Sequence, residues 1–320
     1  PRSEPWLADF NARIDPCKPP LVYHAAHSAP LPSSHRFPMA KFRELERCLF
    51  DCGLADSSQM HRPLPVPRRW LELVHQRAYH EAFARDRLDR QAQRRIGLPA
   101  TTPLVRRTWI AVGGTLLTAR LALRHGLACH LAGGTHHAFP DFGSGFCIFN
   151  DLAVCARVLI EQDGLQRVLV VDLDVHQGDA TALIFSGDER VFTFSAHAAS
   201  NFPSRKQVSD LDLSLRDGLE DWDYLQTIGD HLPELLDRQR PQIVLYNAGV
   251  DPHRDDRLGR LCLTNLGLLQ RDHLVLDACL RRGIPVASVI GGGYDAMIPL
   301  VKRHALVFRA AADQARLHGL

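Results

Sequence analysis

Arg167-Val-Leu-Val-Val-Asp-Leu-Asp-Val-His-Gln-Gly-Asp179 runs from a buried-strand pattern straight into a cluster of acids and one imidazole. Carboxylates beside such an apolar run are costly to bury unless a cation or hydrogen bonds compensate them. On a strand, Asp172, Asp174 and His176 project to one face, because the side-chain period is two. Two oxygen donors and one nitrogen donor aimed at one point suit a divalent ion. The plainer reading is a surface loop after a strand, where an isolated Asp-x-Asp or Asp-x-His arises by chance. The rest of the chain decides between them.

Three further segments share the pattern of an apolar run whose C-terminal end carries the polar residues. Leu127-Ala-Cys-His-Leu-Ala132 leads into Gly133-Gly-Thr-His-His-Ala138, a glycine-rich exit with adjacent His136 and His137. Gln242-Ile-Val-Leu-Tyr-Asn-Ala-Gly-Val-Asp251 ends in an acid. Val286-Ala-Ser-Val-Ile-Gly-Gly-Gly-Tyr294 ends in three glycines and a tyrosine. Taken singly, a histidine pair is a solvated feature, Asp251 a helix cap and Tyr294 a packed aromatic. Taken together, they put metal donors, proton-transfer imidazoles and orienting carboxylates where open parallel sheets place their ligands. One imidazole can take a proton from an attacking water, and either can return it to a leaving amine.

Strands are predicted near 20–23, 127–132, 167–173, 190–195, 242–248 and 285–290. Helices are predicted over 39–52, 68–84, 109–125, 150–162, 222–238, 265–282 and 296–317. This alternation argues an α/β fold: a single doubly wound, mainly parallel sheet with helices on both faces. The Pro-rich stretches 28–38 and 61–67 and the segments 138–146 and 198–210 read as surface loops shaping a site. The Arg-rich run 84–95 reads as a solvated helix face rather than a phosphate site. Gly113, Gly114 and Gly291–Gly293 do not form a dinucleotide fingerprint.

Composition is consistent with one 320-residue domain and a large core, with 45% hydrophobic residues. A net charge of +2 gives no signal for nucleic acid, and no apolar run is long enough to span a bilayer. The eight cysteines (17, 48, 52, 129, 147, 155, 262, 279) lack paired Cys-x-x-Cys spacing, so reduced thiols in a cytoplasm are expected. Lysine occurs only at Lys18, Lys41, Lys206 and Lys302, leaving no polybasic nuclear-import segment.

GGTHHA at 133–138, SGFCIFND at 144–151, DLDVHQGD at 172–179, FSAH at 194–197, NAGVD at 247–251 and GGGY at 291–294 resemble the zinc-dependent histone deacetylase superfamily. The likeness covers about 20–310, leaving 1–19 as an N-terminal extension, and implies an arginase-like fold in one catalytic domain spanning 1–320. The DLDVHQGD wording, the run Asp255-Asp256-Arg257-Leu258-Gly259 and the short GGGY look most like the class IV branch and its bacterial relatives. The resemblance implies one catalytic zinc on Asp174, His176 and Asp251. It makes His137, paired with Asp179, a proton shuttle, and His136, paired with Asp172, a stabiliser of transition-state charge. Tyr294 is then an oxyanion donor. It also implies a potassium ion beside the zinc, held by Asp172, Asp174, the His176 carbonyl, Ser195 and the Ala196 carbonyl. Gly145, Phe146 and Phe202 become tunnel walls with Leu258 at the mouth; Phe202 is equally readable as an ordinary core phenylalanine.

The function so implied is hydrolysis of acetyl or longer acyl groups from lysine side chains, with hydroxamates expected to inhibit through the zinc. An acetylpolyamine amidohydrolase is the alternative, for which Asp255 and Asp256 are the acids able to attract a cationic substrate. A non-catalytic acyl-lysine binder is disfavoured because every ligand, both histidines and the tyrosine are present.

Overall fold

The computed structural model describes residues 18–32 and 35–320. Most of the N-terminal extension, with Cys17, and positions 33–34 of the first Pro-rich stretch lie outside the described residues. Eight strands form one sheet among the described residues: β1 (Leu21–Val22), β2 (Met60–His61), β3 (Leu127–His130), β4 (Val168–Asp172), β5 (Val191–Ala198), β6 (Leu211–Leu215), β7 (Ile243–Asn247) and β8 (Val286–Val289). Their order is β2-β1-β3-β8-β7-β4-β5-β6, and every pairing between them is parallel. The central strands β3, β8, β7 and β4 are buried along their whole length, which is why their sequences read as unbroken apolar runs rather than alternating ones.

The helices are α1 (Lys41–Asp51), α2 (Arg68–Leu71), α3 (Arg77–Ala84), α4 (Arg90–Ile96), α5 (Thr102–His125), α6 (Asp151–Glu161), α7 (Asp179–Phe185), α8 (Asp221–Gln239), α9 (Asn265–Leu280) and α10 (Met297–His318). α5 packs on α6; α9 packs on both α8 and α10, and α10 on α1. β3 touches α5 from one group and α10 from the other, so the sheet centre is covered on both faces. Asn150 caps α6 by accepting from the Ala153 amide at 2.9 Å, and Thr264 caps α9 by accepting from Gly267 at 3.1 Å. The seven described cysteines are free thiols. No helix among the described residues is long and apolar enough to cross a membrane.

Four expectations change. The helix predicted over 68–84 is two helices, because the chain breaks before Arg77 and turns His75 into the interior. There its Nδ1 lies 3.0 Å from the Phe139 carbonyl, and its Nε2 accepts from the Asn150 amide at 2.8 Å. The helix predicted from 109 begins at Thr102, with Pro103 in its first turn. β2, β6 and α7 lack a long apolar signature: β2 is two residues long and β6 is an incompletely buried edge strand. Finally, β4 stops at Asp172 rather than 173, so Asp174 and His176 are not strand residues.

The chain reverses its lateral direction across the sheet between β4 and β7, leaving a crevice at the C-terminal ends of these neighbours. One row of the register crosses that edge as His130, Val289, Asn247, Asp172 and Ser195. The segments GGTHHA, DLDVHQGD, NAGVD and GGGY leave the sheet at or just beyond this row, and FSAH crosses it within β5.

Candidate metal and catalytic centre

Just past β4, the backbone folds back on itself through its own carboxylates. The Asp174 amide donates to Asp172 Oδ1 at 3.2 Å, and the His176 amide donates to Asp174 Oδ1 at 3.1 Å. These short turns, rather than strand alternation, aim Asp174 and His176 at one point. Asp251 arrives from the loop after β7 and accepts from the Val175 amide at 2.9 Å. His176 Nδ1 then lies 3.0 Å from Asp174 Oδ1 and 3.1 Å from Asp251 Oδ2. One ligand atom from each of Asp174, His176 and Asp251 falls within 4.8 Å of the others. A Cβ at Gly292 would be driven into the carboxylates of Asp174 and Asp251, so GGGY supplies close backbone approach there.

The electrostatics of the cluster fit a cation. Asp172, Asp174 and Asp251 are at most 2% exposed. Burial alone would depress His176, but its hydrogen bonds to Asp174 and Asp251 outweigh it and hold the imidazole at about 10. Burial likewise opposes charge on His136, yet Asp172 and Asp174 raise it to about 9. Burial and the charge of Asp174 push Asp251 up to about 7, against the pull of His176. Carboxylates that force protons onto neighbouring imidazoles are short of positive charge, and a divalent ion supplies it. Two carboxylates and an imidazole are a donor set for zinc with a coordination position to spare.

The two adjacent histidines are in different states. His136 Nδ1 lies 2.6 Å from Asp172 Oδ2, and His137 Nδ1 lies 2.7 Å from Asp179 Oδ1. Burial and the charge on His136 drive His137 down to about 4 despite Asp179. The pair thus offers one charged and one neutral imidazole, with ring centroids 4.1 Å apart. Tyr294 is anchored through its amide to Asp256 Oδ2 at 2.7 Å. Burial, then Asp174 and Asp251, raise its phenol well above the ordinary range, so it stays a donor.

His137, His176 and Tyr294 line a cavity of about 600 Å³, together with Gly145, Phe146, Phe202 and Leu258. Gly145 and Phe146 form the tip of a tight turn closed by the Ser144 amide to Cys147 O (3.0 Å) and the Cys147 amide to Ser144 O (2.8 Å). Both residues have positive φ, 52° and 65°, the pattern of a type I′ turn. A Cβ at Gly145 would stand 2.9 Å from His137 and 3.1 Å from Phe202. Phe202 is 44% exposed and meets the His137 ring edge-on at 4.9 Å, so it is a cavity residue and not a core one. The loops 138–146 and 198–210 therefore both reach the site.

Ser195 sits beside Asp172 in the register between β4 and β5, and both it and Ala196 are buried. Asp255 and Asp256 are not free acids. Asp255 pairs with Arg303 at 2.9 Å, and Asp256 accepts from the amides of Leu258, Gly259 and Tyr294 at 2.7–3.1 Å.

Several supporting residues carried no spacing signal. Asn247 Nδ2 donates to Asp172 Oδ1 at 2.9 Å from the neighbouring strand. Arg271 on α9 is fully buried against Asp272, and donates to the carbonyls of Leu173 (3.3 Å) and Gly249 (2.6 Å), which precede Asp174 and Asp251. Lys41 is buried on α1 and donates to Gly291 O at 3.2 Å; burial lowers it to about 8 against the acids nearby. Only Asn247 lay inside a quoted motif.

A model of the histone deacetylase domain matches residues 35–308. An uncharacterized protein of Picosynechococcus is 56% identical over 295 residues, covering 92% of this chain and 98% of its own. Acetoin utilization protein AcuC of Staphylococcus aureus is 28% identical over 88% of this chain and 78% of its own. Histone deacetylase 2 of Arabidopsis thaliana is 31% identical over 57% of this chain and 48% of its own. The solved HDA15 HD domain superposes with a TM-score of 0.80 at 20% identity, covering 92% of this chain and 89% of that one, and so shares the arginase/deacetylase fold. With the domain model spanning most of its length, the chain belongs to the histone deacetylase family, hydrolases that act on amides.

Proposed function

We propose that the protein is a zinc-dependent amidohydrolase that removes acetyl or longer acyl groups from lysine side chains. The carrying observation is the meeting of Asp174, His176 and Asp251 beside two buried histidine–carboxylate pairs, His136–Asp172 and His137–Asp179. Asp174, His176 and Asp251 would hold the zinc, which when bound would supply Lewis acidity toward the acyl oxygen and toward water. A potassium ion suits the oxygens of Asp172, Asp174 and Ser195 with the carbonyls of His176 and Ala196. The DLDVHQGD and GGGY wording favours the class IV branch, and the free thiols suit a cytoplasm.

His137, neutral and tied to Asp179 through Nδ1, keeps Nε2 for the proton of the attacking water. His136, held charged by Asp172, offsets the negative charge developing on the substrate. Tyr294 keeps its hydroxyl proton and donates a hydrogen bond from it to the amide oxygen as that oxygen becomes anionic. Water oxygen joins the acyl carbon, the carbon–nitrogen bond breaks, and His137 passes its proton to the departing amine. The products are a carboxylic acid and a free lysine. Phe146 and Phe202 flank the lysine stem, and Leu258 meets the substrate at the mouth. Asp255 is paired with Arg303 and Asp256 with backbone amides, so neither stands unpaired at the mouth to attract a polyamine. A hydroxamate, which chelates zinc, is the matching inhibitor class.

The test joins elemental analysis to a substrate panel. About one zinc per chain is expected, lost in Asp174→Ala and Asp251→Ala, with turnover of a neutral acetyl- or long-acyl-lysine amide exceeding that of acetylpolyamines. Stoichiometric zinc persisting in Asp251→Ala, or acetylpolyamine turnover above every acyl-lysine, overturns the assignment.

A further inference from the structure

The cavity wall carries a charge that amide hydrolysis does not require. Arg36, Arg94, Arg95, Arg257 and Arg260 line it, and among the described residues no aspartate or glutamate does. Among the described residues only Arg260 of these five has a carboxylate partner, Asp217 at 3.5 Å. The others are exposed and lie in three separate segments: the loop before α1, the end of α4, and the loop after β7.

Their placement is built into the fold. α4 ends at Gly97 in the left-handed conformation, and the carbonyls of Arg95 and Ile96 accept the amides of Gly145 (3.2 Å) and Phe146 (2.8 Å). The helix is thereby stitched to the turn that walls the cavity. The Arg95 guanidinium lies over the Phe142 ring at 4.5 Å. Arg257 is tied through its amide to the carbonyl of Tyr294 at 3.2 Å. Basic residues in a last helical turn are ordinary partners of the helix dipole, which would explain Arg94 and Arg95 alone. It does not explain Arg36 and Arg257 converging on the same cavity without acids between them.

Grouped guanidiniums lacking counter-charges raise the local concentration of anions and repel cations. We infer that this mouth selects acyl-lysines flanked by acidic side chains, whose carboxylates seat against Arg94, Arg95 and Arg257; the inference rests on the lysine deacylase reading above. The same rim disfavours cationic polyamines and lysine-rich tails.

Three acetyl-lysine peptides, with Asp/Glu, Ser/Gly or Lys/Arg flanks, test it beside an uncharged acetyl-lysine amide. At low salt the acidic peptide should exceed the neutral one in kcat/KM by about tenfold, through KM, as expected for a few exposed charge pairs. The preference should shrink at roughly 0.5 M salt, where the Debye length falls to a few ångströms. It should fall toward unity in Arg94→Gln/Arg95→Gln. Arg257→Gln, on a different loop, should reduce it too, so misfolding of one segment cannot decide the result. Equal kcat/KM for the three peptides, or a preference for the basic one, overturns the inference. So does competition by duplex DNA without an acidic-peptide preference, which marks a nucleic-acid surface instead. Failure to turn over even the uncharged amide defeats the deacylase reading rather than this one; direct binding of the three peptides by fluorescence anisotropy then decides the charge selection by itself.

Discussion

His136 and His137 are neighbours in sequence, equally buried and each bonded to an aspartate, yet one is held near 9 and the other near 4. The difference is the surroundings: Asp172 and Asp174 face His136, whereas burial and the His136 charge dominate at His137. The division predicts that His137→Ala loses at least about 10²-fold in kcat while still binding zinc and a hydroxamate, because that side chain is no part of the metal triad. Single-turnover kinetics with metal analysis checks it; near-normal turnover would remove the shuttle role. Tyr294→Phe should lower kcat by on the order of 10²–10³-fold with KM changed less. Equal losses in KM and none in kcat would make it a binding residue only. At this scale the sequence was legible where chemistry repeats a spacing, as in Asp172, Asp174 and His176, although the geometry comes from turns after the strand and not from the strand period. Asn247, Arg271 and Lys41 were opaque because each reaches the site through an atom distant in sequence: Asp172 Oδ1, the Gly249 carbonyl and the Gly291 carbonyl. Arg94 and Arg95, read as a solvated helix face, are indeed exposed, but their helix is docked at the cavity.

Among elements, α5 shows how packing overrides helix propensity. Gly113 and Gly114 sit in the middle of its 24 residues, where glycine costs about 1 kcal/mol relative to alanine. Sequence reasoning could dismiss them as a dinucleotide fingerprint but assign them no role. In the fold, a Cβ at Gly113 would collide with the carbonyl of Leu64, and one at Gly114 with the His130 ring. The first obstacle is backbone and cannot rotate away. Gly113→Ala should therefore destabilise the protein by about 1–3 kcal/mol in spite of its better propensity, read as a lower midpoint in urea at unchanged slope. A raised midpoint would show that the 64–66 segment yields freely. The strands that were read from the sequence, β1, β3, β4, β5, β7 and β8, are buried at every residue but Phe192 of β5, and there the apolar run is its own signal. β2 and β6 escaped because one is too short and the other too exposed for a pattern to form.

For the whole molecule, the price of so polar an interior is acid sensitivity. His27, His75 and His130 are buried away from the metal triad, and burial is the leading cause that lowers each below the ordinary 6.5: His27 well below it, His75 to about 3 and His130 to about 4. Geometry says the same at His75, where Nε2 accepts the Asn150 amide and cannot take a proton without breaking that bond. In the unfolded chain all three protonate near 6.5, so between that value and their folded values the unfolded state binds more protons. Stability then rises with pH: it is fully present above about 6.5 and is lost progressively as pH falls toward 4. At pH ~5 the loss is roughly 2 kcal/mol for each of His75 and His130, a large share of a typical domain's stability. The unfolding midpoint of the metal-free chain should fall as pH drops below 6.5 through these three histidines, while the raised His136 and His176 give a separate loss as pH rises above neutrality; the metal-free form is the one to measure, because acid release of a bound cation acts in the same direction as the acid loss. His75→Gln, which keeps a polar group but cannot protonate, should lower stability at neutral pH and flatten the acid slope. An acid slope unchanged in that variant would mean that carboxylates, rather than buried neutral imidazoles, govern acid unfolding.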